Sequence, residues 1–161
     1  MDRYCLDANI FIQAMEEAYA FDIAPGFWNW LGNDINQGII YSSLHVFREL
    51  SARNDQLSLW IKDHYTKESF IEPDRRVQDI FSTIADYITK KYLIHQASEF
   101  LSGADPWIIA QAKRDGAILV TQEKHVDERS KKVKIPNICD AFKVKYIRLY
   151  ELLRRRNVRL N

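Results

Sequence analysis

Gly103-Ala104-Asp105-Pro106 and, after one helical stretch, Gly116-Ala117-Ile118-Leu119-Val120-Thr121 are the residues on which the fold turns. Residues 117–121 form a near-continuous apolar run of strand length, the pattern of a strand buried on both faces of a parallel sheet. The helix before it opens with Pro106 in its first turn, where a missing N–H costs nothing, continues through Ile108, Ile109 and Ala112, and ends at Gly116. Helix followed by buried strand is half of a βαβ unit, and the rest of the chain repeats the alternation.

Upstream, Arg3-Tyr4-Cys5-Leu6 is a short apolar run that stops at Asp7, so a strand is expected to end where the carboxylate emerges. Asn9 is expected to cap a helix through Ile10, Phe11, Ile12, Ala14, Met15 and Ala18. A turn at Ala24-Pro25-Gly26 leads into Phe27-Trp28-Asn29-Trp30-Leu31, whose spacing is helical and whose aromatics read as core. Gly38 breaks the chain before a second strand, Ile39-Ile40-Tyr41, and Ser42 or Ser43 can cap a helix through Val46, Phe47 and Leu50. From Gln56 to about Phe100 only helical periodicity is visible, through Leu57, Trp60, Ile61, Val77, Ile80, Phe81, Ile84, Ala85 and Ile88, and the stretch reads as a helical cap or insertion. Downstream, Pro136–Phe142 reads as a short helix and Val144–Ile147 as a final strand. The alternation specifies an α/β sandwich.

Length and composition agree. With 161 residues, 47% hydrophobic and 28% charged, five glycines and four prolines, the chain supports one packed domain over 1–161 and excludes disordered and fibrous classes. No apolar run is long enough to cross a bilayer, and a cytoplasmic location without membrane partners is expected. Cys5 and Cys139, far apart and outside any metal-type spacing, read as buried thiols. The formal charge of +1 hides a polarity: residues 1–123 carry 11 Lys and Arg against 18 Asp and Glu, residues 124–161 carry 12 against 4. An acidic body with a basic final quarter suits a polyanion held by the basic part over an acidic feature, although an ordinary solvated face has the same composition.

The acids fall at chemically telling places. In an open parallel sheet, working groups lie beyond the carboxyl ends of the strands. Asp7 ends the first strand and Glu123 follows the strand that ends at Thr121, Glu49 lies on the helix after the second strand, and Asp105 opens the helix leading into the Ile118 strand. Any one of these could simply favour a helix dipole. Four together repel one another and raise their own pKa values unless a cation neutralises them, and hard carboxylate oxygens with room for water suit Mg²⁺ or Mn²⁺.

Leu6-Asp7-Ala8-Asn9, Val46-Phe47-Arg48-Glu49-Leu50, Ala104-Asp105-Pro106-Trp107-Ile108-Ile109-Ala110 and Val120-Thr121-Gln122-Glu123 resemble the successive acidic motifs of PIN-domain ribonucleases. With Lys134-Ile135-Pro136-Asn137-Ile138-Cys139, the spacing is similar to an uncharacterised bacterial and archaeal branch of that superfamily, akin to VapC-type toxins. The resemblance covers nearly the whole chain. It implies a PIN-like three-layer sandwich with a parallel sheet of four or five strands, a Mg²⁺ or Mn²⁺ site and endonucleolytic cleavage of RNA. By position it makes Asp7, Glu49 and Asp105 the metal-binding acids and Glu123 the fourth, with Asn9, Ser43 and Thr121 as polar supports. A homodimer and a neutralising antitoxin are likewise implied by resemblance. The fourth acid in many PIN domains is an Asp two residues after Thr, and the longer Glu123 leaves one ion or two open.

Lys131, Lys132 and Lys134 in the basic loop and Arg154, Arg155 and Arg156 in the tail are the candidates for phosphate contact, which positions RNA without choosing its sequence. Other chemistries fit less well. A phosphatase of the Asp-x-Asp type needs a second carboxylate where Asn9 stands. His45 and Glu49 share a helix face, but no second His completes a zinc set, and His64, His95 and His125 have no recognisable partners. A dinucleotide or P-loop site needs a glycine-rich loop after the first strand. Phe27, Trp28, Trp30, Trp60 and Trp107 could stack bases, with core packing the plainer role. The non-enzymatic alternative is an RNA- or protein-binding PIN scaffold.

Overall fold

Tyr4–Leu6 (β1) are three consecutive buried residues, and the rest of the sheet is built outward from them. In the computed structural model, which describes residues 1–160, β1 pairs in parallel with β2 (Ile40–Ser43) on one side and β4 (Ile118–Val120) on the other. Tyr4 is in register with both Ile40 and Ile118, and Leu6 with Val120. β3 (Phe70–Ile71) and β5 (Tyr146–Ile147) form the edges, giving five parallel strands in the order β3-β2-β1-β4-β5. Both faces of the inner strands are buried, which is why residues 118–120 are apolar without alternation.

The helices are α1 (Ala8–Glu16), α2 (Pro25–Asn36), α3 (Leu44–Ser51), α4 (Gln56–Asp63), α5 (Arg75–Lys91), α6 (Ile94–Ser102), α7 (Asp105–Asp115), α8 (Ile135–Phe142) and α9 (Leu149–Arg155). The chain steps from β1 outward to β3, then crosses back over the sheet to β4 and β5. Because parallel crossovers are right-handed, the two directions of travel place their helices on opposite faces. The packing follows: α1, α3 and α4 touch one another, while α7 packs against α5, α6 and α8 and lies on β1, β2 and β4. The expected α/β three-layer class is therefore what the chain forms. The direction of winding reverses between β1 and β4, and that reversal opens a crevice at their carboxyl ends.

Local chemistry sets the boundaries, with two corrections to the sequence reading. The cap of α1 is Asp7, not Asn9: Asp7 takes an extended backbone and its Oδ1 accepts from the Asn9 N–H at 3.3 Å. β1 ends at Leu6 as expected, and α1 begins at Ala8, directly after Asp7. Second, the 56–100 stretch is not wholly helical. Phe70 is buried and pairs with Ser42 in β2, and two residues are too few to display a strand periodicity in the sequence. Other expectations hold: Ser43 caps α3 by accepting from the His45 N–H, and Gly116 ends α7 in the left-handed conformation that glycine favours. Phe27 and Trp28 are core, as are both cysteine thiols. No helix among the described residues is long and apolar enough to cross a membrane.

α9 folds back along the sheet and is pinned at its end. The Arg156 guanidinium holds the buried Asp34 carboxylate with two bonds, Nε to Oδ2 at 2.7 Å and Nη2 to Oδ1 at 3.2 Å, and the Trp30 indole N–H adds a third at 3.1 Å. Removing one member of a buried ion pair leaves the other charge uncompensated. Arg156→Ala is expected to lower the unfolding free energy in urea by about 3 kcal/mol, while Arg154→Ala, at an exposed position, changes it by under ~0.5 kcal/mol.

Candidate functional site

Asp7 is the only one of the four acids that is fully buried, 1% exposed, and the fold places it by two devices. Its backbone N–H continues the β1–β4 pairing by donating to the Val120 carbonyl, and its Oδ2 accepts from the Thr121 hydroxyl at 3.0 Å. The same hydroxyl oxygen accepts from the Glu123 N–H at 3.1 Å, so one threonine orders both acids at the reversal point. Asp105 is half-buried in the first turn of α7, and Glu49 lies exposed on α3. Asp7, Glu49 and Asp105, from three separate elements, line one cleft of about 400 Å³ with Asn9, Lys132 and Lys134 on its walls.

Glu123 behaves differently. Its Oε2 accepts from the Ile135 N–H at 2.8 Å and so caps the start of α8, and it stands outside the cleft lining while still acting on the cleft by charge. Of the expected supports, Thr121 bonds Asp7 directly, Asn9 contributes its backbone N–H and lines the cleft, and Ser43 acts through the cap of α3, the helix that carries Glu49. Gln96 and Glu99 on α6 line the cleft too, and the sequence reading missed them. The signal was the Gly103 turn, which brings the end of α6 beside the start of α7.

The basic residues divide. Lys132 and Lys134 border the carboxylates, and Lys131 is exposed on the same loop beside Tyr92 and Glu128. The tail is a correction: Arg154, Arg155 and Arg156 are not brought to the cleft. Arg156 is bound to Asp34, in the last turn of α2 shortly before β2 begins, and Arg155 pairs with Glu151 and lies 3.9 Å from Asp2, ahead of β1. These are the amino ends of the strands, the opposite rim. A cavity of about 790 Å³ is at that rim as well, between α7, α8 and β5, and its lining mixes both signs of charge.

The family now follows from the residues matched. The description "Domain of unknown function (DUF4411)" covers residues 4–160. The chain belongs to this DUF4411 family. Comparison with curated proteins finds no match.

Electrostatics give the DUF4411 cleft its chemistry. Burial pushes the Asp7 carboxyl up to about 6, reinforced by the charges of Glu123 and Glu49 and opposed by the Asn9 and Thr121 donors. Burial also pushes Asp105 up, to about 8, with Asp7, Glu123 and Glu49 raising it further and the Lys134 ammonium pulling it down. Partial shielding from water raises Glu49 as well, exposed though the residue is, against the pull of Arg53. Among the described residues no group of three or more His, Cys, Asp and Glu side chains is gathered as a ready-made metal cage. The donor set nonetheless has the chemistry of a hard divalent cation site: carboxylate oxygens from several elements, mutually repelling, and an Asp105 carboxylate without a hydrogen-bond partner among the described residues.

A carboxyl raised in the folded state binds its proton more tightly there than in the unfolded chain. The stability it contributes is full below about pH 4, the unfolded value, and is lost as pH rises through about 6 for Asp7 and about 8 for Asp105. In EDTA, the melting temperature of the parent is expected to fall between pH 5 and 8.5, and that of Asp105→Asn to fall less. Mn²⁺ should raise the parent's melting temperature more at pH 8 than at pH 5.5. Equal pH slopes for the two proteins by calorimetry would refute the assigned repulsion.

Proposed function

We propose that the chain is a divalent-cation-dependent endoribonuclease of PIN type, hydrolysing RNA phosphodiester bonds at the carboxyl ends of β1 and β4. What supports this most is the convergence of Asp7, Glu49 and Asp105 from three elements on one cleft, beside Lys132 and Lys134. The resemblance to PIN-domain motifs adds to it, since the same acids occupy the motif positions.

Asp7, Glu49 and Asp105 would hold Mg²⁺ or Mn²⁺. Bound there, the ion supplies Lewis acidity, drawing charge from a phosphodiester and acidifying water. The chain's own groups do the rest. Thr121 fixes the Asp7 carboxylate through Oδ2. Lys132 and Lys134 hold the phosphates of the strand over the acids, which the acids alone would repel. Glu123, anchored through Oε2 to Ile135 outside the cleft lining, would assist through its charge, which acts on Asp7 and Asp105. A role as the toxin of a toxin and antitoxin pair, with a neutralising protein, a second copy of the chain and a cytoplasmic location, belongs to the same proposal and rests on resemblance.

One observation favours the rival reading of a non-catalytic RNA- or protein-binding scaffold: Glu123 spends one oxygen on capping α8. A cleavage assay separates the two. With single-stranded RNA and Mn²⁺, the parent is expected to cut and EDTA to stop it, and Asp7→Asn or Asp105→Asn to reduce the rate by about a hundredfold or more. Both variants should keep the parent's far-ultraviolet spectrum. An Asp7→Asn protein that cuts as fast as the parent sinks the assignment, and binding without cleavage by the parent establishes the scaffold.

The placement of the lysines carries its own test. Cationic contacts release condensed counterions, so RNA binding should weaken steeply with salt. Lys132→Ala and Lys134→Ala are each expected to lower the slope of log affinity against log salt by about 0.7, and Arg154→Ala at the far rim to leave it unchanged.

A further inference from the structure

Trp107 follows Asp105 by two residues in the first turn of α7, and its indole is sandwiched. On one face the His45 imidazole lies parallel, with centroids 4.5 Å apart and planes 3° apart. On the other, the Phe81 ring is 3.9 Å away at 17°. The three rings come from α3, α7 and α5, and all three are half-buried. His45 precedes Glu49 by four residues on α3, so both project from the same side of that helix, and Glu49 lines the acidic cleft.

The stack differs from Trp28 and Trp30 in how its polar atoms are used. Trp28, which is buried, donates its indole N–H to the Tyr19 carbonyl at 2.6 Å, and the half-buried Trp30 donates its own to Asp34. Among the described residues the Trp107 N–H and both His45 ring nitrogens bond to nothing, yet none of them is a buried atom lacking a partner. They therefore face solvent. Burial and the Arg48 guanidinium hold the His45 imidazole below its ordinary range, which favours its uncharged form.

We propose that the His45–Trp107–Phe81 stack is a nucleobase platform, on whose His45 face an unstacked base of single-stranded RNA lies while its phosphate is held at the Asp7, Glu49 and Asp105 cleft. The inference rests on the nuclease reading for its substrate class and narrows it to single strands, because a base in a duplex is already stacked on both sides. A planar ring accepts any base by its π-face, so the platform selects strandedness rather than sequence. Rigid placement follows from the sandwich: His45 cannot turn away from Trp107 without giving up the parallel contact.

The test is binding of fluorescent six-nucleotide strands by the full chain in EDTA, with oligoadenylate, an abasic ribose-phosphate strand of equal length and an RNA duplex as probes. The parent is expected to bind oligoadenylate about tenfold more tightly than the abasic strand, and more tightly than the duplex. His45→Ala and Trp107→Leu should bring oligoadenylate down to the abasic level and leave abasic binding unchanged. Equal binding of the base-bearing and abasic strands by the parent, or of duplex and single strand, overturns the proposal, and neither result depends on a variant folding. Cleavage in Mn²⁺ is scored in parallel. Base-dependent binding lost in His45→Ala, without any cleavage, leaves the platform and removes the nuclease. Cleavage of both single strands at equal rates, with no base dependence in binding, does the reverse.

Discussion

A carboxylate buried at the end of the central strand is the constraint around which this molecule is arranged. Asp7 gives up water on nearly all sides, and an isolated charge in that position would cost several kcal/mol. The fold reduces the cost with three local donors or alignments: the Thr121 hydroxyl, the Asn9 N–H and the start of α1, whose dipole favours negative charge. These do not suffice, since Asp7 still holds its proton more tightly than an exposed aspartate does. The neighbouring acids add to the difficulty, and no apolar or neutral arrangement would require it. A residue kept in such a place at the expense of stability is characteristic of sites that do chemistry.

Thr121 is the hinge of that arrangement. By donating to Asp7 and accepting from Glu123, it makes the register of β1 against β4 a condition of the site's geometry. A slip of one residue between these strands would carry Asp7 away from the Thr121 hydroxyl. The apolar faces of Leu6 and Val120, opposite one another and fully buried, prevent the slip. The packing of the core and the placing of the acids are thus one specification.

Much of this was legible in the residues themselves. The strands around Leu6, Tyr41 and Leu119 are short, apolar and bounded by capping or turn residues, so their existence follows from burial alone. The acids at their ends follow from the general rule for parallel sheets. What escaped detection had weak local signals. β3 is two residues long and exists because the exposed edge of β2 offers it hydrogen bonds, as at Ser42, whose N–H donates to the Ser69 carbonyl. Asp7 outcompeted Asn9 as a cap because β1 delivers Asp7, not Asn9, to the first free N–H groups. Gln96 and Glu99 reach the cleft through the turn at Gly103, a tertiary fact that helical periodicity does not encode.

The basic tail shows what charge counting leaves out. Charge counting treated residues 124–161 as a single cationic surface, but charge carries no address, and two of the three tail arginines have acidic partners at the far rim. Asp34 is buried with Arg156, and Glu151 and Asp2 flank Arg155. Lys132 and Lys134 border the carboxylates, and there the two signs work together. Lys134 draws the Asp105 carboxyl down while its neighbours push it up, so the ammonium balances part of a charge that the acids cannot disperse. On the proposed reading, a phosphodiester brought to the cleft is met by Lys132 and Lys134 as well as by the acids. The lysines matter, because the acids by themselves would repel the strand, and at about 400 Å³ the cleft is too small to admit more than a short length of backbone. On the proposed reading, a cation in the interior is what reconciles attraction by the lysines with repulsion by the acids.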